Sequence, residues 1–150
     1  MLHLPKKMLY ALEAVVDIAF NARPDPVQSK EITQRQGIPQ RYLEQVMQQL
    51  VHAGVLKGVR GPRGGYRLAR ERRRITAGDI VRVIAAADDE GSDTQIFSSE
   101  IGQKIVGPLW HQAQAAMLKQ LDQVTLEDLC RQVDKDCKGE NTRSATDFNI

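Results

Sequence analysis

The chain has few cysteines that could form disulfides and no long apolar run that could anchor it in a membrane. Two cysteines among 150 residues are too few for a disulfide framework. No apolar run is long enough to cross a bilayer. The stretch 8–20 is apolar on a helical period but contains acidic residues, unlike a signal peptide. These absences predict a cytoplasmic protein with no membrane partner.

Side chains that ligate metals or catalyse reactions are sparse as well. His3, His52 and His111 show no ligand spacing with Cys130 or Cys137. No nucleophile–base pair or carboxylate pair stands out along the chain. The sequence therefore predicts no metal, no cofactor and no enzymatic activity.

The charges that are present are divided between the two halves of the chain. Residues 1–75 contain 14 Lys and Arg against 6 Asp and Glu, whereas residues 76–150 contain 7 against 13. The net charge of +2 therefore hides a basic half of about +8 and an acidic half of about −6. Such segregation favours a polyanionic partner for the first half only.

Residues 29–53 have the pattern of a helix-turn-helix. Ser29 is a candidate N-cap of a short helix that Gly37 ends, and a second helix over 39–53 ends at Gly54. One face of the second helix is an apolar stripe of Leu43, Val46, Met47 and Leu50. The opposite face contains Gln40, Arg41, Glu44, Gln45, Gln48 and Gln49. Amides can donate to and accept from base edges, although this face alone is equally compatible with a solvated surface helix.

A basic hairpin follows the second helix and favours the DNA-binding alternative. Strand-forming residues lie on both sides of the glycine-rich turn 61–65. Arginines mark the hairpin at positions 60, 63, 67 and 70, and their planar guanidinium groups suit phosphates and narrow minor grooves. A nucleotide-binding loop is disfavoured because the turn lacks a GK[ST] ending and a following helix. The expected partner is double-stranded DNA.

The flanking segments predict supporting helices on either side of the helix-turn-helix and hairpin. A helix over 6–22 begins with Lys6 and Lys7, which either contact phosphate or are simply solvated. Thr76 caps a helix to about residue 87, with Asp79 near its positive end. We interpret residues 88–103 as a mobile, acidic loop. A last helix begins at Thr125, with Asp128 at the capping-box position.

A long helix over about 106–124 carries an apolar seam with a coiled-coil period. Its candidate interface residues are Val106, Leu109, Trp110, Ala113, Met117, Leu121 and Val124. The seam packs either on its own domain or on a second copy. We favour the second copy, because readers of this kind usually meet palindromic sites as two-fold dimers.

The predicted fold class is therefore mainly α: a winged helix-turn-helix with a two-stranded wing plus a long C-terminal dimerisation helix. The predicted divisions are a winged helix-turn-helix DNA-binding domain (1–87), a flexible loop (88–104), dimerisation helices (105–136) and a polar tail (137–150).

Several short motifs occur in the order of a known family. They are Leu9-Tyr10-Ala11-Leu12, Tyr42-Leu43-Glu44-Gln45, Val59-Arg60-Gly61-Pro62 with Gly64-Gly65-Tyr66, Leu109-Trp110 and Thr125-Leu126-Glu127-Asp128-Leu129. Together they resemble the Rrf-type bacterial winged helix-turn-helix regulators, which include an iron-sulfur cluster regulator, a nitric-oxide-responsive repressor and a cysteine metabolism repressor. The resemblance spans about residues 9–133.

The resemblance implies a homodimer that places the recognition helix in the major groove and the wing in the minor groove. Base readout falls to Arg41, Glu44 and Gln45, with Gln40 beside them. The resemblance assigns phosphate contacts to Ser29 and Tyr42 and wing contacts to Arg60 and Arg63. Lys7 and Gly64 are further candidate DNA-binding residues. Tyr42 is nearly as well explained as a packing residue.

The chain departs from the best-known members of that family in its cysteines. Those sensors hold an iron-sulfur cluster with three cysteines in the loop and the start of the long helix, sometimes with a histidine just before the Leu-Trp pair. This chain has Lys104 where a cysteine would be expected and Gly107 where a histidine would be expected. Thiolates bind such clusters, so the chain resembles the cluster-free branch and takes a small-molecule or protein effector. Cys130 lies on an apolar stripe and is expected in the core. Cys137 leaves a minor redox role open.

The leading hypothesis is a sequence-specific transcriptional regulator, more specifically a repressor, that acts as a homodimer on palindromic operators. The alternative is a protein-interaction module in which the winged fold only scaffolds a partner protein.

Overall fold

The computed structural model describes residues 4–22, 24–89 and 97–137 of the chain. These residues form six α-helices and a two-stranded antiparallel sheet, which confirms the predicted fold class. The elements are α1 (Lys6–Asn21), α2 (Ser29–Gln36), α3 (Gln40–His52), β1 (Leu56–Val59), β2 (Gly65–Leu68), a 3-10 turn (Arg72–Arg74), α4 (Ala77–Asp89), a π-helical turn (Gly102–Val106), α5 (Gly107–Leu121) and α6 (Leu126–Asp136). The predicted tail lies outside the described residues, apart from its first residue.

Local chemistry explains where most of these helices begin and end. Gly37 and Gly54 follow α2 and α3 with left-handed backbone angles, φ 67° and 79°, as predicted for glycines that end helices. Thr76 and Asp79 exchange backbone-to-side-chain hydrogen bonds at the start of α4. Thr125 and Asp128 do the same at the start of α6.

The predicted capping role of Ser29 is wrong. Gln28 is the N-cap of α2, and Ser29 is already the first helical residue. The backbone N–H of Gln28 donates to the Glu31 carboxylate at 2.9 Å. A carboxylate accepts such a bond more strongly than a hydroxyl does, so the cap forms one residue earlier than predicted.

One apolar core joins the first four α-helices to α6. Ile18 of α1, Leu50 of α3 and Ile84 of α4 are fully buried in it. Leu126 and Cys130 of α6 belong to the same cluster, which confirms the core position of Cys130. The last helix therefore packs against the winged domain.

The start of the long helix also differs from the prediction. Helical residues begin at position 100, within the stretch interpreted as a loop. The π-helical turn precedes Pro108, and Gly107 N–H donates to the carbonyl of Gly102, five residues back. A wider turn accommodates a proline that cannot donate a backbone hydrogen bond. Residues 90–96 of the predicted loop lie outside the described residues.

A buried ion pair fixes α1 against α2. The Asp17 side chain has no exposed surface, and its two oxygens accept from Arg35 Nε and Nη2 at 2.9 and 2.8 Å. Gln36 Nε2 donates a third hydrogen bond at 2.8 Å. The hydrogen bond to Asp17 raises the pKa of Arg35, against an opposing effect of burial. This bidentate pair sets the angle between the scaffold helix and the helix-turn-helix.

Candidate nucleic-acid interface

Helix α3 buries one face and exposes the other. Leu43, Val46, Met47 and Leu50 are buried, as predicted. Gln40, Arg41, Glu44, Gln45 and Gln48 are exposed. Gln49 departs from this pattern, because it is half-buried and its Oε1 has no hydrogen-bond partner among the described residues. The free polar face of α3 is therefore narrower than the sequence indicated.

Two of the predicted base-reading residues are held by side-chain hydrogen bonds. Thr33 Oγ1 donates to Gln40 Oε1 at 3.1 Å, and Gln40 Nε2 donates to Glu44 Oε1 at 3.0 Å. This chain of bonds crosses from α2 to α3 and fixes the orientation of the Gln40 amide. Arg41 and Gln45 make no side-chain hydrogen bond within the described part of the chain. Both are free to reach a ligand.

Tyr42 makes the packing contact that was one of its two predicted roles. Its ring lies 5.7 Å from that of Tyr10 on α1, tilted by 44°, which is a packing contact between aromatic residues. It is nevertheless 42% exposed. A phosphate contact from its hydroxyl stays a prediction.

The wing is a short hairpin with a tightly built tip. Leu56 pairs with Leu68 and Val59 pairs with Gly65. A side chain at Gly64 would place its Cβ only 2.3 Å from the carbonyl oxygen of Val59, so the turn closes only with glycine there. Arg60 and Arg63 are both exposed at this tip. The hairpin thus presents two cations beyond the end of its strands.

The base of the wing is tied to the start of α2. Val27 and Tyr66 exchange two backbone hydrogen bonds, at 2.9 and 2.7 Å. Gly65 permits this approach, because a Cβ there would lie 2.4 Å from the Val27 carbonyl oxygen. Ser29 follows Val27 by two residues. The structure therefore brings Ser29 to the base of the wing.

Other predicted or suspected cations are already paired with acidic residues. Lys7 Nζ lies 3.0 Å from an Asp88 carboxylate oxygen, and the Lys7 side chain is only 19% exposed. This ion pair competes with the predicted contact between Lys7 and a DNA phosphate. Arg72 pairs with Glu127, and Arg73 pairs with Glu71, each at 2.7 Å. The arginine run after the wing therefore adds less free positive charge than its composition indicates.

The predicted interface helix exposes a broad apolar face. Leu109 is 65% exposed, Trp110 is 47% exposed, and Val106, Ala113 and Met117 are also exposed. Leu121 and Val124 are half-buried at the edge of this face, where the carbonyl of Val124 accepts from Ala77 of α4.

Sequence reasoning missed two members of the apolar face. Ile101 and Ile105 are 70% and 64% exposed and precede Leu109 at spacings of four. That spacing is a helical signal, but Ile101 fell in the stretch interpreted as a loop and Ile105 lay between that loop and the predicted start of the long helix. The exposed apolar face therefore runs from Ile101 to Met117.

The described cysteines do not form a metal site. Cys130 is buried in the core and Cys137 is exposed at the end of α6. Within 4–22, 24–89 and 97–137, no group of three or more His, Cys, Asp or Glu side chains is arranged to hold a metal ion. In the same ranges no helix combines the length and hydropathy that spanning a membrane requires.

The buried α1–α2–α3 core, the exposed face of α3 and the arginine-tipped hairpin define a winged helix-turn-helix protein. Residues 4–132 match Rrf2, described as an iron-dependent transcriptional regulator. The chain belongs to this Rrf2 family of transcriptional regulators, and the resemblance inferred from its motifs is confirmed.

Named relatives agree with this assignment. The HTH-type transcriptional regulator IscR of Photobacterium profundum is 35% identical over 134 residues, covering 87% of this chain and 76% of IscR. CymR of Bacillus subtilis is 35% identical over 125 residues, covering 83% and 87%.

Solved structures show the same fold. IscR of T. potens superposes with a TM-score of 0.71 at 33% identity, covering 91% of both chains. CymR of B. subtilis, the global cysteine regulator, superposes with a TM-score of 0.66 at 34% identity, covering 87% of this chain and 98% of CymR.

Proposed function

We propose that this protein is a transcriptional repressor that binds palindromic operators as a homodimer and carries no iron-sulfur cluster. The observation that supports it best is the pairing of an exposed polar α3 face with an arginine-tipped wing. Arg41 and Gln45 are free for base edges, whereas Gln40 and Glu44 are pre-oriented by hydrogen bonds. Arg60 and Arg63 supply the backbone or minor-groove contacts.

The homodimer is supported by the exposed face of α5. Soluble monomers rarely expose a contiguous apolar surface of this kind, and the face Ile101–Met117 has no partner within the described part of the chain. A second copy is the simplest cover, because a two-fold axis would pair this surface with itself. The same axis would present two α3 helices to two half-sites of a palindrome.

The absence of a cluster is supported by the positions of the thiols. Iron-sulfur clusters are held mainly by cysteine thiolates, and positions 1–129 contain no cysteine. Lys104 is paired with Glu100 at 2.8 Å. Gly107 is buried, and a Cβ there would lie 3.0 Å from the Gly102 carbonyl oxygen. These residues do not fit the thiolate donors of a cluster, so the proposed signal is a small molecule or a protein.

Binding to promoter DNA tests the proposal. DNA recovered with the protein from cells supplies the operator, and retardation of that fragment over excess random duplex is the expected result. Arg41→Ala should weaken the operator about tenfold or more, since a good bidentate base contact contributes about 1–3 kcal/mol of discrimination. Arg131→Ala removes an exposed arginine from α6 and is the matched control, with unchanged affinity.

Two results would contradict this function. Equal weak binding to every duplex, together with a tightly bound protein partner, would favour an interaction module. A brown, iron-containing protein from an anaerobic preparation would overturn the proposed absence of a cluster, since a colourless spectrum is expected with and without oxygen.

A further inference from the structure

A cavity of about 210 Å³ opens where the end of α1 faces β2 and the 3-10 turn. Its floor is apolar and consists of Ile18, Ala19, Ala22 and Leu68. A single water needs only about 10–15 Å³ of such space, so the cavity has room for a small metabolite. None of the residues that line it belongs to α3 or α5.

Two arginines on the cavity wall have no counter-ion among the described residues. Arg67 Nε is shielded from solvent and has no hydrogen-bond partner among the described residues, while its Nη2 makes one long bond of 3.4 Å to the Pro24 carbonyl. Arg70 is exposed and has no ion pair in that part of the chain. Shielded polar groups are normally satisfied. An unpaired guanidinium N–H at a cavity wall therefore points to an anionic ligand.

The remaining charges on the wall limit the kind of anion. Arg72 is paired with Glu127, and Glu71 accepts from Arg73. That hydrogen bond lowers the pKa of Glu71, so its carboxylate is ionised at neutral pH and repels a multiply charged ligand. A carboxylate matches the guanidinium fork, and the apolar floor suits a short alkyl chain.

We propose that this cavity binds a small organic monocarboxylate with a short alkyl chain, and that its binding weakens the grip of the wing on DNA. The carboxylate would neutralise Arg67 and Arg70 on and beside β2, the strand whose Tyr66 is tied to Val27 before α2. Removing positive charge from a DNA-binding surface lowers affinity. The binding step stands apart from the proposed function, whereas the effect on DNA depends on it.

Titration with sodium pentanoate, followed by backbone amide NMR and calorimetry, tests the binding step. Saturable shifts at Arg67, Leu68 and Ala22 are expected in the full chain. Arg70→Gln should weaken binding about tenfold, as expected for the loss of one charged hydrogen bond. Ala22→Leu fills the cavity and should abolish binding while the arginines remain. Lys119→Gln, which removes an exposed cation of α5 away from the cavity, should leave binding unchanged.

Comparison ligands separate the site from general ionic effects. Pentanamide keeps the chain and loses the charge, inorganic phosphate keeps the charge and loses the chain, and both should bind more weakly than pentanoate. Equal effects of phosphate and pentanoate, or equal losses in Arg70→Gln and Lys119→Gln, would overturn the site. The same holds if pentanoate gives no saturable shift.

The effect on DNA is measured separately with the operator fragment. Pentanoate at saturation should lower the affinity of the wild-type protein several-fold and leave that of Ala22→Leu unchanged. Saturable pentanoate binding with no change in DNA affinity would retain the site and refute its regulatory role. Loss of operator binding in every sample without pentanoate would instead count against the proposed function.

Discussion

Among single residues, Asp17 carries the buried charge on which the junction of α1 and α2 depends. Its carboxylate is fully buried and takes two of its three hydrogen bonds from Arg35. Arg35→Ala would leave the Asp17 carboxylate with only the hydrogen bond from Gln36. Because removing one partner strands a buried ion, we expect a loss of about 3 kcal/mol in the free energy of unfolding.

Urea denaturation with circular dichroism measures this loss as a lower transition midpoint. Arg41→Ala is the control, because it removes an exposed arginine nearby and should change stability by no more than about 0.5 kcal/mol. Equal midpoints for the two variants would show that the pair contributes nothing net.

Gly64 makes a second residue-scale prediction about the wing. Gly64→Ala places a methyl group within 2.3 Å of the Val59 carbonyl oxygen, so the turn must open and displace Arg60 and Arg63. Gly58→Ala, in the same hairpin, meets no atom within 4 Å. We expect Gly64→Ala to reduce operator affinity and lower the melting temperature, and Gly58→Ala to do neither. Similar behaviour of the two variants in both measurements would contradict the described turn.

Among the elements, α6 couples the stability of the core to pH. Hydrogen bonds from the Thr125 backbone and side chain lower the pKa of Asp128 from its ordinary value of 3.8. A lowered carboxylate pKa contributes stability that is complete above the ordinary value and is lost as pH falls through the folded value. The start of α6 should therefore weaken in acid.

Asp128→Ala should flatten this dependence. As pH falls below about 4.5, the urea midpoint of the wild type should drop more steeply than that of the variant, and the curves should converge. Asp136→Ala removes a carboxylate from the other end of α6 and should keep the wild-type slope. Parallel curves for wild type and Asp128→Ala would remove Asp128 as the source of the effect.

Elements with chemically marked ends could be predicted from the sequence. Gly54 ends α3, and the Thr125–Asp128 box begins α6, because each signal acts within a few residues. The start of the long helix was predicted near residue 106 but lies at residue 100, because Pro108 suits a first helical turn and the π-helical turn before it has no local signature. The contact between Asp17 and Arg35 spans 18 positions, so only the packed fold shows it.

At the scale of the whole molecule, the exposed apolar face of α5 must be shielded from solvent, whereas the basic helix-turn-helix and wing must remain accessible. The apolar face needs a cover, and the arginines need an accessible polyanion. The proposed two-fold dimer would meet both demands, because it would bury Leu109 and Trp110 between copies and leave each α3 and wing exposed. The pocket beside β2 stays accessible in that arrangement only if the partner copy does not reach α1.

Matched glutamates on α5 test the dimer. Ala113 and Ala115 are both exposed in the single chain, but two residues of helix separate them by about 200° around the axis. Ala113→Glu buries a charge in the proposed interface and should yield a monomer in sedimentation analysis. Ala115→Glu lies away from the face and should remain a dimer. Two monomers, or two dimers, would contradict the assignment of this face.

The salt dependence of operator affinity shows how many wings of the proposed dimer contact one operator. Each phosphate contact contributes about 0.9 to the slope of log affinity against log salt concentration. Because a dimer carries two wings, Arg60→Ala should reduce that slope by about 1.8, twice the value of one contact. Arg131→Ala should leave the slope unchanged, since its guanidinium faces Glu127 on α6. A reduction of about 0.9 would mean that only one wing reaches the backbone, and no reduction would remove Arg60 from the phosphate contacts altogether.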